Sequence, residues 1–360
     1  MSATLQPSTL AELAEAVRSA PQVLPLGGGT KPSLSAAGAA VSISTARLSG
    51  IVEYDPSEFT FTARAGTPLR EISAALAKRG QHLPFDPPLA AAGATLGGTV
   101  AAGLNGPGRL RFGGLRDFIL GVRFVDGTGR LLRMGGKVVK NAAGFDLPKF
   151  FVGSLGRLGV LAEITFKVFP RPESTLTLEF AVPDDDAMSK LISGVAQGRW
   201  ELEALDATFP EGKIHARLGG PPEALKALAA DLDRRWPVRI LPADEGTALW
   251  RAADSFAWAH PQGVLCKIPL TLARLAEFAA LTRAVPGARS WVGAAGNGGY
   301  LSLPERTEIR GVDERLRQLR LEALVLRGAG ALRLGARTGF RVQAAVKLAL
   351  DPDQRFPALG

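Results

Sequence analysis

Three consecutive glycines constrain the N-terminal part of this chain more than any other feature. An apolar, β-prone run at residues 23–26 stops at the glycine triplet 27–29, and Thr30 and Lys31 follow directly. Glycines let successive backbone N–H groups turn toward one point, and the missing Cβ atoms let a bulky anion come close. Thr30 can add a hydroxyl donor and Lys31 a positive charge. The segment indicates a phosphate or pyrophosphate site, with a plain glycine turn as the alternative.

The residues after the triplet decide which nucleotide fold is compatible with it. A Rossmann site needs its glycines to open a helix, whereas Pro32 and a Ser/Ala/Gly-rich stretch follow here. This disfavours an NAD-dependent dehydrogenase. The G-x-x-x-x-G-K-[ST] pattern of a P-loop does not occur in the sequence, so that class has no support either.

Cysteine and histidine usage limits the redox and metal chemistry. The single Cys266 excludes an internal disulfide framework and any all-cysteine zinc or iron–sulfur site. The three histidines, His82, His215 and His260, are far apart in sequence and form no metal-binding pair. We therefore predict no bound metal and a reducing, cytoplasmic setting.

A net charge of +9 is compatible with nucleic-acid binding, but the positive residues are dispersed among acidic ones. No basic tail or nucleic-acid motif is present, so we predict no nucleic-acid partner. An anionic cofactor, substrate or protein surface suits the positive electrostatic field of the chain equally well.

We expect no signal peptide, because Glu12 and Glu15 interrupt the apolar N-terminal residues. The uncharged run 89–108 is rich in glycine and predicts loops and tight turns, not a membrane span.

Length and pattern predict an α+β chain of about two domains, at roughly 150 residues per domain. A pair of prolines, Pro170 and Pro172, marks the predicted boundary. Beyond it, strands alternate with helices, one of them predicted over 307–327, and the pattern indicates an antiparallel sheet covered by helices. A last helix is predicted over 340–350.

Several segments, in chain order, resemble flavoproteins of the vanillyl-alcohol-oxidase type, also called the p-cresol-methylhydroxylase type. The sharpest marker is Lys140-Asn-Ala-Ala-Gly-Phe-Asp146, followed by Phe151-Val-Gly-Ser-Leu-Gly-Arg-Leu-Gly159. Within that family the chain is most similar to the FAD-binding E-type subunits of bacterial glycolate oxidases. The matching segments are 25–31, 62–69, 83–88, 94–100, 112–117, 120–122, 139–146, 153–160 and 350–352.

The resemblance implies a two-lobed FAD-binding domain at 1–172, an α+β cap at 173–335 and a C-terminal segment, 336–360, that returns toward the FAD domain. It implies FAD held without a covalent bond, because no histidine lies near residues 25–32 and Cys266 falls in the cap. The implied FAD-binding residues are Leu26, Gly27, Gly28, Gly29, Thr30, Lys31, Pro88, Ala94, Thr95, Gly97, Gly98, Ala101, Gly103, Gly106, Gly159 and Val160.

The resemblance also assigns a part of the cofactor to each segment. The first glycine loop would take the pyrophosphate, and residues 94–103 would let backbone pass close to the flavin and the ribityl chain. Gly159 and Val160 would meet the adenine end. The alternative for residues 94–108 is a packing seam of small residues.

Oxidising a 2-hydroxy acid requires a cation for the carboxylate and a base for the hydroxyl proton. Each candidate for these roles also has an ordinary structural or surface role as its alternative. Residues 292–300, where related enzymes carry metal-binding histidines, contain none. The candidate catalytic residues are His260, Arg251, Arg310, Arg333 and Arg337.

The implied function is that of an FAD-carrying subunit in a glycolate oxidase, or glycolate dehydrogenase, complex that converts glycolate to glyoxylate. Its implied partners are a second FAD subunit and an iron–sulfur subunit, which would bring it to the inner face of the membrane. Two alternatives to this function stay open. The first is a self-sufficient FAD-dependent 2-hydroxy acid dehydrogenase, and the second is a structural FAD-carrying subunit without catalysis of its own.

Overall fold

The computed structural model describes residues 4–36, 38–136, 146–328, 330–337 and 340–358. The chain divides into two compact units: the first comprises 1–105, 114–171 and 339–360, and the second comprises 106–113 and 172–338. The sequence places a domain boundary at residue 172, and the chain passes between the units at Arg171 and Pro172. The sequence did not indicate that residues 106–113 belong to the second unit.

Helices and strands are numbered along the chain. The α-helices are α1 Leu10–Ser19, α2 Leu69–Ala77, α3 Leu96–Ala102, α4 Arg109–Phe112, α5 Leu115–Phe118, α6 Asp185–Ala196, α7 Pro222–Asp233, α8 Ala243–Ser255, α9 Leu275–Ala284, α10 Ile309–Gln318 and α11 Phe340–Leu350. Short 3-10 helices are Pro32–Ser35, Leu147–Phe151, Leu272–Arg274 and Ala294–Gly296. The strands are β1 Val23–Leu26, β2 Val41–Ser44, β3 Ile51–Asp55, β4 Thr60–Arg64, β5 Gln81–His82, β6 Ile119–Val125, β7 Leu131–Gly135, β8 Val160–Lys167, β9 Phe169–Pro170, β10 Ser174–Phe180, β11 Ala204–Phe209, β12 Lys213–Gly220, β13 Val238–Ile240, β14 Val264–Ile268, β15 Arg289–Gly293, β16 Gly298–Leu303, β17 Glu322–Arg327 and β18 Arg333–Gly335.

The described part of the first unit contains three separate strand systems, one of which is the antiparallel pair β5-β9. In its described residues, β1 and β2 form a parallel pair, and five strands form an antiparallel sheet in the order β3-β4-β8-β6-β7. Helix α1 begins after Thr9, whose Oγ1 accepts a hydrogen bond from Glu12 N at 3.1 Å. Its buried Leu13 and Val17 share a core with Val23 of β1 and with Phe356 from the C-terminal segment.

The prediction of loops and turns over residues 89–108 was wrong for α3. Thr95 caps this helix, because its Oγ1 accepts from Gly98 N at 3.3 Å, and Gly103 ends it with a φ of 62°. Glycines disfavour helices in isolation, but a Cβ at Gly97 would lie 2.8 Å from Ala65 Cβ. Close packing therefore stabilises a helix that local propensity does not predict.

The second unit is built on one large sheet. Within its described residues, nine strands are paired antiparallel in the order β13-β10-β12-β11-β15-β16-β14-β17-β18. One face of this sheet forms an apolar core with helices α6, α7, α9 and α10. On the opposite face, Trp250 and Ala253 of α8 pack against Ala204 and Trp291. The α+β fold class and the helix-covered antiparallel sheet are confirmed.

The prediction of a single helix over residues 307–327 was also wrong. Helix α10 ends at Gln318, Arg320 adopts a φ of 52°, and the chain continues as strand β17. Ala323 and Val325 of β17 are buried in the core beneath the sheet. The run Ala-Leu-Val-Leu suits either element by hydrophobicity, and pairing with β14 and β18 decides for the strand.

No helix in the part of the chain that the structure describes is both long enough and apolar enough to cross a membrane.

Candidate functional site

A cavity in the first unit brings together three segments that are far apart in sequence. These are the end of β1 with the loop after it, helix α3, and residues 154–161 at the start of β8. About 680 Å³ of space lies between these segments, part of it open to solvent. The predicted cofactor residues that line it are Leu26, Gly27, Gly28, Gly29, Thr30, Lys31, Gly97, Gly98, Ala101, Gly159 and Val160.

The three glycines of the first loop are needed for different reasons. A Cβ at Gly28 would lie 2.0 Å from Gly93 O, and a Cβ at Gly27 would lie 2.6 Å from Thr95 Oγ1. Both positions are glycine because the loop packs tightly on residues 93–98. Gly29 has a φ of 67°, and a Cβ there would meet no atom within 4 Å. Gly29 therefore supplies the turn, with open space for a ligand beside it.

The other predicted cofactor residues lie outside the cavity lining. Ala94 and Thr95 support the first loop from behind, and Pro88 is buried elsewhere in the first unit. A Cβ at Gly103 would lie 3.1 Å from Gly153 Cα, so this glycine lets α3 approach the loop before β8. Gly106 belongs to the second unit. Within residues 94–108, therefore, Gly97, Gly98, Ala101 and Ala102 line the cavity, while Gly103 serves close packing.

Lys31 contributes a buried positive charge to the cavity. Its side chain is 8% exposed, and burial lowers the pKa of the ammonium to about 8. The Nζ atom donates to the neutral hydroxyl of Thr30 at 2.9 Å, which uses one of its three donors. A buried ammonium is costly unless an anion compensates it. The cavity is therefore suited to a ligand that carries negative charge, such as a pyrophosphate.

A buried polar network supports the third segment of the cavity. Lys347 Nζ donates to Asp351 Oδ2 at 2.6 Å, to Phe356 O at 3.0 Å and to Arg157 O at 3.2 Å. The Arg157 guanidinium donates in turn to Leu155 O at 3.0 Å, and Leu155 lines the cavity with a φ of 54°. The C-terminal segment thus holds the backbone of the cavity wall.

Sequence reasoning missed this network and part of the lining. The motif at 350–352 drew attention to Asp351, and the i, i+4 spacing from Lys347 is a signal for an ion pair, but neither shows that the pair is buried. Thr45, Ser154 and Gly156 also line the cavity. Thr45 is placed there because its Oγ1 donates to Leu26 O at 3.1 Å, a contact with no sequence signature.

The candidate catalytic residues all lie in the second unit, and the structure does not bring them together in one cavity. His260 Nε2 is 2.7 Å from Gly287 O, which ties the ring to a neighbouring loop. Arg333 forms an ion pair with Glu322. The remaining three side chains, Arg251, Arg310 and Arg337, are exposed.

The motif at 139–146, which contains the first part of the sharpest marker in the sequence, lies almost entirely outside the described residues. Only its last residue, Asp146, is described, and it pairs with Lys149 Nζ at 2.8 Å.

Comparison with known proteins supports a flavin site. A family model for an FAD binding domain matches residues 1–135. The chain is 46% identical to the glycolate oxidase subunit GlcE of Escherichia coli (strain K12) over 181 residues, 49% of this chain and 50% of the relative. It is 29% identical to the glycolate oxidase subunit GlcD of Bacillus subtilis (strain 168) over 243 residues, 66% of this chain and 52% of the relative. The matched region thus spans about half the length of each relative.

Among solved structures, alkyldihydroxyacetonephosphate synthase superposes with a TM-score of 0.70 over 98% of this chain and 76% of its own. At 14% identity this likeness concerns the fold alone. The family match shows that residues 1–135 are those of an FAD-binding flavoprotein, with FAD as the cofactor. Within that class, its particular similarity is to the subunits of glycolate oxidase.

Replacing Lys31 by methionine should weaken FAD binding by about 1.5–3 kcal/mol, or about ten- to one-hundredfold, because a charge-assisted hydrogen bond in a buried site is lost. The dissociation constant for FAD, measured by titrating the FAD-free protein, checks this. The matched control is Lys78→Met, which removes an exposed lysine from the end of α2. Equal affinities of the Lys31 variant and the parent would contradict the role of Lys31.

The same lysine predicts a pH dependence. Without FAD the ammonium loses its proton as the pH rises through about 8, whereas a bound pyrophosphate raises its pKa. Above pH 8, therefore, FAD affinity should fall by up to about tenfold per pH unit, and below pH 7 it should be constant. The Lys31→Met protein should show no such slope. A slope that persists in the variant would assign it to another group.

Proposed function

We propose that this chain is the FAD-carrying subunit of a glycolate oxidase, or glycolate dehydrogenase, complex. In that complex, glycolate is oxidised to glyoxylate, and the electrons pass to a second FAD subunit and an iron–sulfur subunit. The observation that carries the proposal is the 46% identity to a glycolate oxidase subunit over 181 residues. The similarity to a second subunit type, GlcD, supports an assembly in which related flavin chains work together. We expect this assembly in the cytoplasm and at the inner face of the membrane.

FAD, when bound, supplies the acceptor for the hydride of the 2-hydroxy acid. The residues of this chain bind and orient it. The backbone at Gly29 and Thr30 and the ammonium of Lys31 would hold the pyrophosphate. Gly98 and Ala101 of α3 line the cavity, and because Gly98 has no side chain and Ala101 has only a methyl group, they leave room for the rest of the dinucleotide.

We infer that the FAD is held without a covalent bond. No histidine or cysteine is among the described residues that line the cavity. Cys266 lies in β14 of the second unit, where burial raises the pKa of its thiol to about 12 and keeps it unreactive. FAD should therefore be released completely when the protein is denatured with acid.

The test combines the isolated chain with a complex reconstituted from all subunits. We expect the reconstituted complex to transfer electrons from glycolate to a soluble dye under anaerobic conditions, and we expect omission of this chain to abolish that transfer. The isolated, FAD-loaded chain should stay yellow when glycolate is added. Full activity of a complex that lacks this chain would reject the proposal.

Two other outcomes identify the alternatives. Bleaching of the isolated chain by glycolate or another 2-hydroxy acid would show a self-sufficient dehydrogenase. A complex that keeps full turnover while this chain carries no FAD would show a structural subunit.

A further inference from the structure

The five-stranded sheet of the first unit carries a polar groove on one face. About 930 Å³ of space lies over this face, part of it open to solvent. Every described residue that lines the groove belongs to one of the five strands, except Gly136, which follows β7 directly. The groove shares no lining residue with the FAD cavity. An antiparallel sheet often leaves one face in water, so the arrangement of the charges has to decide whether the groove binds a partner.

Four charged side chains form one row across this face, because directly paired residues project from the same side of a sheet. In register order across β4, β8, β6 and β7 they are Arg64, Glu163, Arg123 and Arg133. The buried Glu163 accepts from Arg123 Nη1 at 2.9 Å and pairs with Arg64 Nε at 3.3 Å. The one carboxylate of the row is therefore shared between two arginines.

Arg133 is the member of this row without an acidic partner. It is exposed, lies directly opposite Arg123 in the register, and forms no ion pair with any residue that the structure describes. Like charges directly opposite one another destabilise a sheet. The other acid that lines the groove, Glu53, lies on the opposite edge strand, four strand spacings of roughly 4.8 Å, or about 19 Å, from β7. A carboxylate from outside the chain would neutralise the arginine pair.

The floor of the groove beside the two arginines is bare. The next pair on the same face is Gly121 with Gly135, so no side chain projects there. Val52 on β3, which is 51% exposed, and the half-buried Leu132 on β7 add apolar surface at the two edges. A cationic pair beside a bare floor and apolar edges suits a polypeptide segment that carries a carboxylate, because such a segment uses both the charge and the apolar surface.

Charge decides between a second copy of this chain and a different protein. In a symmetric dimer the same patch faces itself, so an interface built on this groove would bring the arginines of both copies together. The net charge of +9 opposes such self-association further. Residues 137–145, which follow Gly136, contain two lysines and no acidic residue, so they would not supply the carboxylate. An acidic surface of another protein fits the groove.

We propose that this groove is the docking surface for an acidic segment of the second flavin subunit of the complex. A carboxylate of that segment would lie between Arg123 and Arg133, and a guanidinium can bind a carboxylate through two parallel hydrogen bonds. The inference rests on the proposed function, because it takes its partner from the assembly proposed there.

The test measures binding of the FAD-loaded full chain to the purified second flavin subunit by calorimetry. Arg133→Glu should raise the dissociation constant at least about tenfold, because it replaces an attraction by a repulsion. Arg133→Lys keeps the charge and should recover part of the loss. The affinity of the parent should fall as salt is added, and that of Arg133→Glu should fall less steeply. Arg123 is left unchanged, because its removal would also disturb the buried Glu163.

Arg70→Glu is the matched control, since it reverses the charge of an exposed arginine on α2 that does not line the groove. It should bind the second flavin subunit within about twofold of the parent. FAD content and thermal midpoint, measured on every variant, report whether the fold is intact. Absence of binding to the parent, equal affinity of the parent and folded Arg133→Glu, or a stable dimer of the isolated chain that Arg133→Glu dissociates would each overturn the inference.

Glycolate-driven electron transfer in the reconstituted complex separates this inference from the proposed function. Transfer that continues without this chain, while the second flavin subunit still binds through Arg133, overturns the proposed function and supports the docking surface. Transfer that requires this chain, while Arg133→Glu binds the second flavin subunit normally, overturns the docking surface alone.

Discussion

Replacing Lys347 by methionine should lower the free energy of unfolding of the first unit by about 3–5 kcal/mol and reduce its FAD content. The Asp351 carboxylate, which is 0% exposed, would lose its only cationic partner among the described residues. Arg157 O and Phe356 O would lose a donor as well. FAD content should follow, because Arg157 anchors Leu155 in the cavity wall.

Denaturant unfolding of the FAD-loaded and FAD-free proteins measures this effect. Arg341→Met is the matched control, since it removes an exposed cation from the same helix and should change stability by less than about 0.5 kcal/mol. If the variant does not fold, the double variant Lys347→Met with Asp351→Asn, which leaves no uncompensated charge, should recover stability. A Lys347→Met protein as stable as the control would contradict the structural role of the pair.

Replacing Ala101 by tryptophan should yield a folded protein that purifies with at least about tenfold less FAD. Ala101 lies on α3 and lines the cavity, so an indole there fills space that the dinucleotide needs. It is a sharper probe than a change at Gly28, where a side chain would collide with Gly93 O and disturb the fold itself.

The ratio of flavin to protein absorbance, before and after incubation with excess FAD, measures the loss. Ala74→Trp, on the exposed side of α2, introduces the same indole without entering the cavity and should leave FAD content unchanged. Circular dichroism establishes that both variants are folded. Full FAD content in the Ala101 variant would mean that this cavity is not the cofactor site.

Much of the cavity could be predicted from sequence because its chemistry lies in short backbone segments. A glycine triplet followed by Thr30 and Lys31 restricts backbone conformation and carries charge, and both properties are local. The positions of Gly97, Gly98, Gly159 and Val160 followed from motifs of the same kind. Such segments are readable because glycine is required where the backbone turns, as at Gly29, or packs closely, as at Gly97.

Other features could not be read in this way, since they depend on contacts between distant residues. Helix α3 forms in a glycine-rich segment because it packs on Ala65, and β17 forms because β14 and β18 flank it. Lys347 looks like any helical lysine until the fold buries it beside Asp351.

The sequence by itself indicated the class of cofactor and many of the residues that line the cavity, because glycines and a lone cation restrict what can fit against a backbone. Only the tertiary structure decided which glycines serve packing and which face open space in the cavity, and how the C-terminal segment secures the cavity wall. The physical reason is that burial and proximity set the energy of a charge, and neither is a property of the residue alone.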